Sequence, residues 1–480
     1  MISSAQPLSP AARRALGLAA RRRLARGGHA VFSLSHCPKH PLRLLHQSER
    51  GRVPALVALK HQRMVASPFG FFRGAVPIMA ADLAAHSNSG LLTQLCGDAH
   101  VENLGAYASP ISGRLLFDIN DFDETIRGPF EWDLKRLTSS LILAGREAGI
   151  KRTAREEAVL HFAERYRTCM AEFAALPILE MVRHQIHRLA RVDPMPAILS
   201  QAQRSTPLKT LKSLTEPAPK PAKGVAHSSA ASSPMGGVPG GRSMSAGAER
   251  GVGSANDSRR FRSNPPMLRP ATATEADAVL ASLAAYTLTL QPERRHFLAQ
   301  YRAVDIAFKV VGTGSVGLRD YCIYFEGTHT GQPDPLFLQI KEETRSAYAP
   351  YLPADAALHT HQGQRAVNGQ RAMQLSSDPF LGYTSIPDAK GTPRDYLVRQ
   401  LNDHKASLDL AALNAASLLG YADLCGEIFA HGHARAGDPV ALSAYLGNSD
   451  RFDHALLRFA EAYADKTEHD WSLLKKSMKK

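Results

Sequence analysis

The sequence divides at a collapse in its own composition. From about Arg204 to Arg269 large apolar residues thin out and Pro, Gly, Ser, Ala and basic residues take over, as in TEPAPKPAKGVAHSSAASSPMGGVPGGRSMSAGAERGVG. Such a stretch has too little apolar surface to offset the entropy of ordering its backbone. Residues 204–270 therefore read as a disordered linker or insertion between two folded halves. The organisation that follows is a basic lead over 1–50, a first half over 51–203, the linker, a second half over 271–406 and a helical C-terminal part over 407–480.

The two halves differ in pattern. Leu134, Leu137, Leu141 and Leu143 recur near helical spacing and predict a long helix from about Glu131 to Leu176, stopped by Pro177. The second half opens with a helix over Glu275 to Leu290. Strand-like runs follow at Asp305 to Val311, Tyr321 to Glu326, Leu336 to Lys341 and Tyr396 to Leu401, with a helix over Asp355 to Leu375 between the last two. From Leu408 onward the pattern is helical, broken at Gly437 to Pro439. The fold class is α+β.

Five cysteines, scattered and without a CxxC pair, suggest neither a disulfide framework nor a zinc site, and the compartment they fit is reducing and cytoplasmic. No apolar run approaches the roughly 20 residues that cross a bilayer. The formal charge of +14 raises the question of nucleic acid. Much of the excess sits in the Arg-rich first 30 residues and in the linker rather than on a periodic face interleaved with aromatics, so specific nucleic-acid readout is not expected.

Chemistry concentrates in residues 96–134, CGDAHVENLGAYASPISGRLLFDINDFDETIRGPFEWDL. Asp98, His100, Glu102, Asn103, Asp118, Asn120, Asp121, Asp123, Glu124 and Asp133 crowd around the apolar strand core Leu115–Leu116–Phe117. Buried carboxylates need partners or a metal. Phosphoryl transfer from ATP needs a carboxylate for the nucleophile's proton, and an amide and a second carboxylate to hold Mg²⁺. An Asp followed five residues later by Asn, then a hairpin, then Asp-Phe, supplies these hard oxygen donors. Asp98 is the candidate base, Asn103 and Asp121 are candidate metal ligands, and Asp123 is a third. Read blandly, the same cluster is a calcium- or solvent-facing turn.

A second constellation spans 310–341, VVGTGSVGLRDYCIYFEGTHTGQPDPLFLQIK. Gly312, Gly314 and Gly317 lie between two strand-like runs, and a third run ends in Lys341. That order fits a phosphate-covering loop and a phosphate-pairing lysine, whereas a dinucleotide fold needs a helix after the glycines. The bland reading is a hairpin with an exposed strand-end lysine. Between Ser346 and Asp378 there is no Glu to pair with Lys341, and Gln364, Gln370 or Arg371 are candidates to face a nucleotide instead.

GDAHVEN, INDFDE and WDL together resemble the catalytic signature of the aminoglycoside and choline kinase branch of the protein-kinase-like fold. In that resemblance Asp133 is the aspartate that braces the catalytic loop, and Cys96 stands where the family usually has His. The resemblance implies a two-lobed fold with 51–203 and 407–480 as the C-lobe-like part and 271–406 as the N-lobe-like part, and ATP and Mg²⁺ as cofactors. It also makes DYLVRQL, 395–401, the adenine-binding hinge strand. Because the acidic loop precedes the glycines by about 200 residues, a circular permutation is implied; exposed joints tolerate such rewiring. Taken whole, the chain also resembles the bacterial family known as domain of unknown function 2252, through RMVASPFGFFRGA, CGDAHVENLG, FDINDFDET, GPFEWDLKRL, VGTGSVGLR, GQRAMQ and LVRQL.

Arg73 is a candidate phosphate or substrate contact, or equally a structural ion pair, and His100 a candidate for a hydrogen bond within the loop or for metal. Three functions are open: an ATP- and Mg²⁺-dependent phosphotransferase acting on a small-molecule or protein acceptor, a non-catalytic nucleotide-binding pseudokinase, and a metal-dependent phosphohydrolase built on Asp98, His100, Asp121 and Asp123. Nucleotidyl transfer is a variant of the first.

Overall fold

The computed structural model describes residues 6–38, 40–110, 112–218, 259–329, 331–401 and 404–479. Helices α1 (Pro10–Arg23), α2 (Pro41–Ser48), α3 (Pro54–Val65), α4 (Pro68–Gly74) and α5 (Val76–Ala84) open the chain. All five carry proline at their first or second position, where the missing N–H would be unpaired anyway. Short strands β1 (Leu92–Leu95), β2 (Leu104–Ala108), β3 (Leu115–Ile119) and β4 (Ile126–Pro129) come next, then helices α6 (Glu131–Glu147), α7 (Arg152–Ala175), α8 (Ile178–Val182), α9 (Met195–Arg204) and α10 (Pro207–Leu214).

Strands β5 (Thr215–Pro217), β6 (Arg259–Phe261) and β7 (Leu268–Pro270) lead to α11 (Ala273–Leu288) and α12 (Pro292–Leu298). Strands β8 (Tyr301–Lys309), β9 (Asp320–Gly327) and β10 (Pro335–Glu343) follow. Helices α13 (Ala354–Ala357) and α14 (Gln362–Met373) separate them from β11 (Gly382–Pro387), β12 (Pro393–Gln400) and β13 (Ala406–Ser407). Helices α15 (Ala415–Ala436), α16 (Pro439–Leu446) and α17 (Arg451–Ser477) end the described chain, and no helix among the described residues is long and apolar enough to cross a membrane.

Six strands form one antiparallel sheet in the order β11-β12-β10-β9-β8-β7. Strand β10 is buried along all of its length because both faces are covered. With a period of two, Leu338 and Ile340 face α11 in a core with Val279, Tyr286 and Val398, while Phe337, Gln339 and Lys341 face the other way. On that second face Phe337 meets Leu211 of α10 and Phe261 of β6. The larger core is helical and joins sequence from both sides of the sheet half, among it Leu134, Leu137 and Phe162 with Phe429, Leu456 and Phe459.

The arginine-rich lead is part of this core's wall. Arg13 pairs with Asp438 at 2.8 Å, Arg21 donates to the Tyr445 carbonyl and Arg26 to the Leu446 carbonyl. The last carbonyls of α16 have no helical partner of their own, and cations suit that end of the dipole.

Several expectations are corrected. The long helix over 131–176 is two helices, because the chain turns at Gly149 with φ +68°. The helix over 355–375 is interrupted at His361, whose ring accepts the Gln364 N–H and caps a new helix. Strand β11 was not visible in its short, weakly alternating sequence. The stretch read as structureless folds at both ends, as α10 and β5 to β7, since Leu211, Phe261 and Leu268 find the sheet to bury against; its central part, 219–258, lies outside the described residues.

Candidate active site

Helix α6 runs through the interior, with nearly every residue from Glu131 to Gly145 buried. Its polar side chains on one face, at i, i+3 and i+7, hold the segment after β1. Asp133 accepts the N–H groups of Cys96 at 2.8 Å and Gly97 at 3.0 Å, Arg136 clasps Asp98 at 2.8 and 2.7 Å, and Ser140 accepts the Val101 N–H at 3.1 Å. His433 of α15 lies 3.4 Å from the same Asp133 carboxylate. Gly97 has φ +84°, and a Cβ there would stand 2.2 Å from the Glu124 carbonyl oxygen, so only glycine fits this turn.

The hairpin β2–β3 returns the chain beside this segment. Asn103 donates from Nδ2 to the carbonyls of Asp98 at 2.8 Å and Asp121 at 3.1 Å, which ties the two acidic turns together and leaves its Oδ1 without a donor among the described residues. Lys341, at the end of the buried strand β10, reaches both carboxylates of the second turn, at 3.2 Å to Asp121 and 2.5 Å to Asp123. The two constellations thus meet in one cleft. Helix α14 supplies no carboxylate to Lys341. It supplies Arg365, which donates to the carbonyls of Asp123, Thr125 and Thr344 and so ties the acidic turn to the end of β10.

The electrostatics separate the paired carboxylates. Desolvation in the cleft opposes the charge of Asp121, but the Lys341 ammonium, a hydrogen bond from Asp123 and nearby Arg399 hold its pKa below the ordinary range. Burial and the Asp121 charge push Asp123 up to about 6, against the pull of Lys341. One carboxylate of the pair stays ionised and the other takes a proton first. Burial also raises Asp98, opposed mainly by Arg136. His100 is held well below its ordinary value by burial and by Arg73 and Arg136, so its ring is neutral. Its Nε2 is 3.8 Å from Asp98, beyond hydrogen-bond length, and its Nδ1 has no partner among the described residues. Arg73 forms an ion pair with Glu102.

The glycine turn is held by the start of the first half. Arg52 donates to the Val316 carbonyl at 2.6 Å, the Val53 N–H to the Gly317 carbonyl at 2.7 Å, and Arg63 to the Val311 carbonyl at 3.1 Å. Gly317 has φ +92°, while Gly312 and Gly314 lie in ordinary backbone. The N–H groups of Thr313, Gly314 and Ser315 meet no acceptor among the described residues. A cavity of about 360 Å³ lies below the turn, with Gly314, Ser315, Asp98, Asp123, Arg73 and Glu343 in its wall.

The remaining candidates lie elsewhere. Gln370 bonds Gln374, Arg371 bonds the Leu381 carbonyl, and neither faces Lys341. In the hinge segment the Gln400 N–H goes to Asp378, its carbonyl accepts Lys405, and the Leu401 N–H goes to the Phe337 carbonyl at 2.8 Å. Arg136 and Arg365 are not singled out by the sequence. For Arg136 a signal existed, a charged residue three positions after Asp133 and so on the same helix face.

Fold and cleft together define an α+β protein in which a sheet-borne lysine meets a hairpin of carboxylates. The chain belongs to the family described as uncharacterized protein conserved in bacteria (DUF2252), whose model matches residues 52–233 and 242–477. Comparisons with curated proteins and with solved structures gave no match.

Proposed function

We propose that this protein is an ATP- and Mg²⁺-dependent phosphotransferase with a circularly permuted, protein-kinase-like arrangement. The observation that carries the reading is the contact of Lys341 with Asp121 and Asp123 across 220 residues of sequence, at 3.2 and 2.5 Å. Packing alone does not account for a lysine buried this deeply beside two carboxylates, of which Asp123 keeps an unpartnered buried Oδ1. Lys341 also lies on the third strand around the glycine turn, and a helix follows it and packs on the same sheet, the order in which kinases place their phosphate-pairing lysine.

The donor set fits magnesium. Asp121, Asp123 Oδ1 and the free Asn103 Oδ1 are hard oxygens in one place. Bound there, the ion would neutralise phosphate charge. Lys341 would then turn from the carboxylates to the phosphates, and the open N–H groups of residues 313–315 would cover them. Asp98, its pKa raised by burial, takes the proton of the acceptor hydroxyl. As the acceptor oxygen bonds to the γ-phosphorus, the bond to the β–γ bridging oxygen breaks and ADP leaves with that electron pair.

The test compares wild type with Lys341→Ala, Asp121→Ala and Asp98→Ala. Nucleotide with Mg²⁺ is expected to raise the thermal midpoint of wild type and not of Lys341→Ala, and ATP turnover is expected to fall at least 100-fold in the two aspartate variants. Unchanged turnover in both removes the proposal. A nucleotide-binding protein without turnover is the second reading, favoured by the occupied hinge backbone and by the absence, among the described residues, of a helix-borne carboxylate partner for Lys341; it expects the thermal shift and no product.

A further inference from the structure

Lys60 of α3 is only 1 % exposed, and it has neither a hydrogen bond nor an ion pair among the described residues. Burying a cation in this way is costly unless something compensates it. Lys60 lines the cavity below the glycine turn, whose wall also holds Arg52, Asp98 and Asp123.

The local carboxylates do not compensate it. Glu49, the nearest in sequence, is taken by His61 at 2.5 Å and His46 at 3.1 Å. Asp123 is bound by Lys341 and Asp98 by Arg136. Glu124 accepts the Ala347 N–H at 2.6 Å, and Glu343 lies 3.7 Å from Arg365. Arg52 spends its guanidinium on the uncharged carbonyls of Ser48 and Val316. Arg345, also in the cavity lining, is exposed and meets no carboxylate among the described residues. The cavity wall therefore holds Lys60 and Arg345, neither with an ion-pair partner among the described residues, together with Arg52.

The cavity borders the lysine–carboxylate grip without enclosing all of it. Lys341 and Asp121 are not in its wall, whereas Asp98 and Asp123 are. A volume of about 360 Å³ lies at the lower end of small-ligand pockets, which run from about 300 to 1,000 Å³. Resting on the phosphotransferase reading, we propose that this cavity is the acceptor subsite and that the acceptor is a phosphorylated small molecule, whose phosphate sits on Lys60, Arg52 and Arg345 and whose hydroxyl faces Asp98. Cationic donors drawn from separate elements of one cavity wall suit the three oxygens of a phosphate.

The experiment titrates inorganic phosphate into the full chain, with and without saturating ATP and Mg²⁺, and follows the thermal midpoint and the heat of binding. Wild type is expected to bind phosphate in both conditions, Lys60→Met at least ten-fold more weakly, and Arg345→Ala several-fold more weakly. Arg345 is on the surface, so its variant keeps the test valid if the core substitution fails to fold. No binding to wild type, or equal binding by both variants, overturns the proposal. Phosphate that binds alone but is displaced by ATP overturns it too, since the cavity then holds the nucleotide's own phosphates. Phosphate binding through Lys60 without any nucleotide binding would keep the anion site and remove the phosphotransferase reading.

Discussion

At the scale of single residues, Lys60 shows how an unmatched charge becomes measurable. Burial, with Arg52 adding to it and Glu49 and Glu124 opposing, pushes its pKa down to about 7 from 10.5. Between those two values the unfolded chain holds the proton and the folded chain does not. Stability therefore rises with pH across that window and is flat with respect to this group below it. Denaturant titrations of the ligand-free protein from pH 6.5 to pH 10 are expected to show this rise in wild type and to lose it in Lys60→Met. Near neutral pH the variant is expected to be the more stable by roughly 1–4 kcal/mol, as when a buried charge gives way to a packed apolar chain. A wild-type stability that falls over the same range would contradict the assignment.

At the scale of elements, α6 works as a rail onto which the loop from Cys96 to Val101 is pinned. Asp133, Arg136 and Ser140 recur at helical spacing, and each meets the loop at a different point. Asp133→Ala leaves the N–H groups of Cys96 and Gly97 buried without an acceptor, at a cost of about 1–3 kcal/mol for each. Equilibrium unfolding should report that loss, and hydrogen exchange should quicken at residues 96–103 before it does in α6. Protection unchanged in that loop would show that the pins are redundant.

For the whole molecule, the arrangement depends on contacts between distant parts of the chain. Lys341 and Arg365 join the sheet half to the acidic hairpin, and Arg21 and Arg26 join the first thirty residues to the end of α16. The basic lead thus has a structural use that its charge alone does not disclose. Replacing Arg21 and Arg26 together by Ala is expected to lower stability by about 0.3–1 kcal/mol for each cation removed from the helix end. Calorimetry on the double variant, which leaves the cleft residues intact, reads this directly. Nucleotide binding that survives the change would separate the lead from the site.

Sequence alone determined what is local or strongly patterned. The strands β8, β9, β10 and β12 and the helix α11 follow from short-range periodicity, and the Asp98–Asn103 and Asp121–Asp123 groups from residue types whose close spacing has few bland uses. Glycines 97 and 317 mark positive φ, a requirement of the backbone at the residue itself. Tertiary structure decided everything that depends on a partner far along the chain. Lys341 meets Asp121, Arg365 ties α14 to the acidic turn, α10 and β6 gain order from the sheet they cover, and Lys60 has no counter-charge among the described residues. Burial and charge pairing belong to the folded arrangement of neighbours, and those neighbours lie tens to hundreds of residues away.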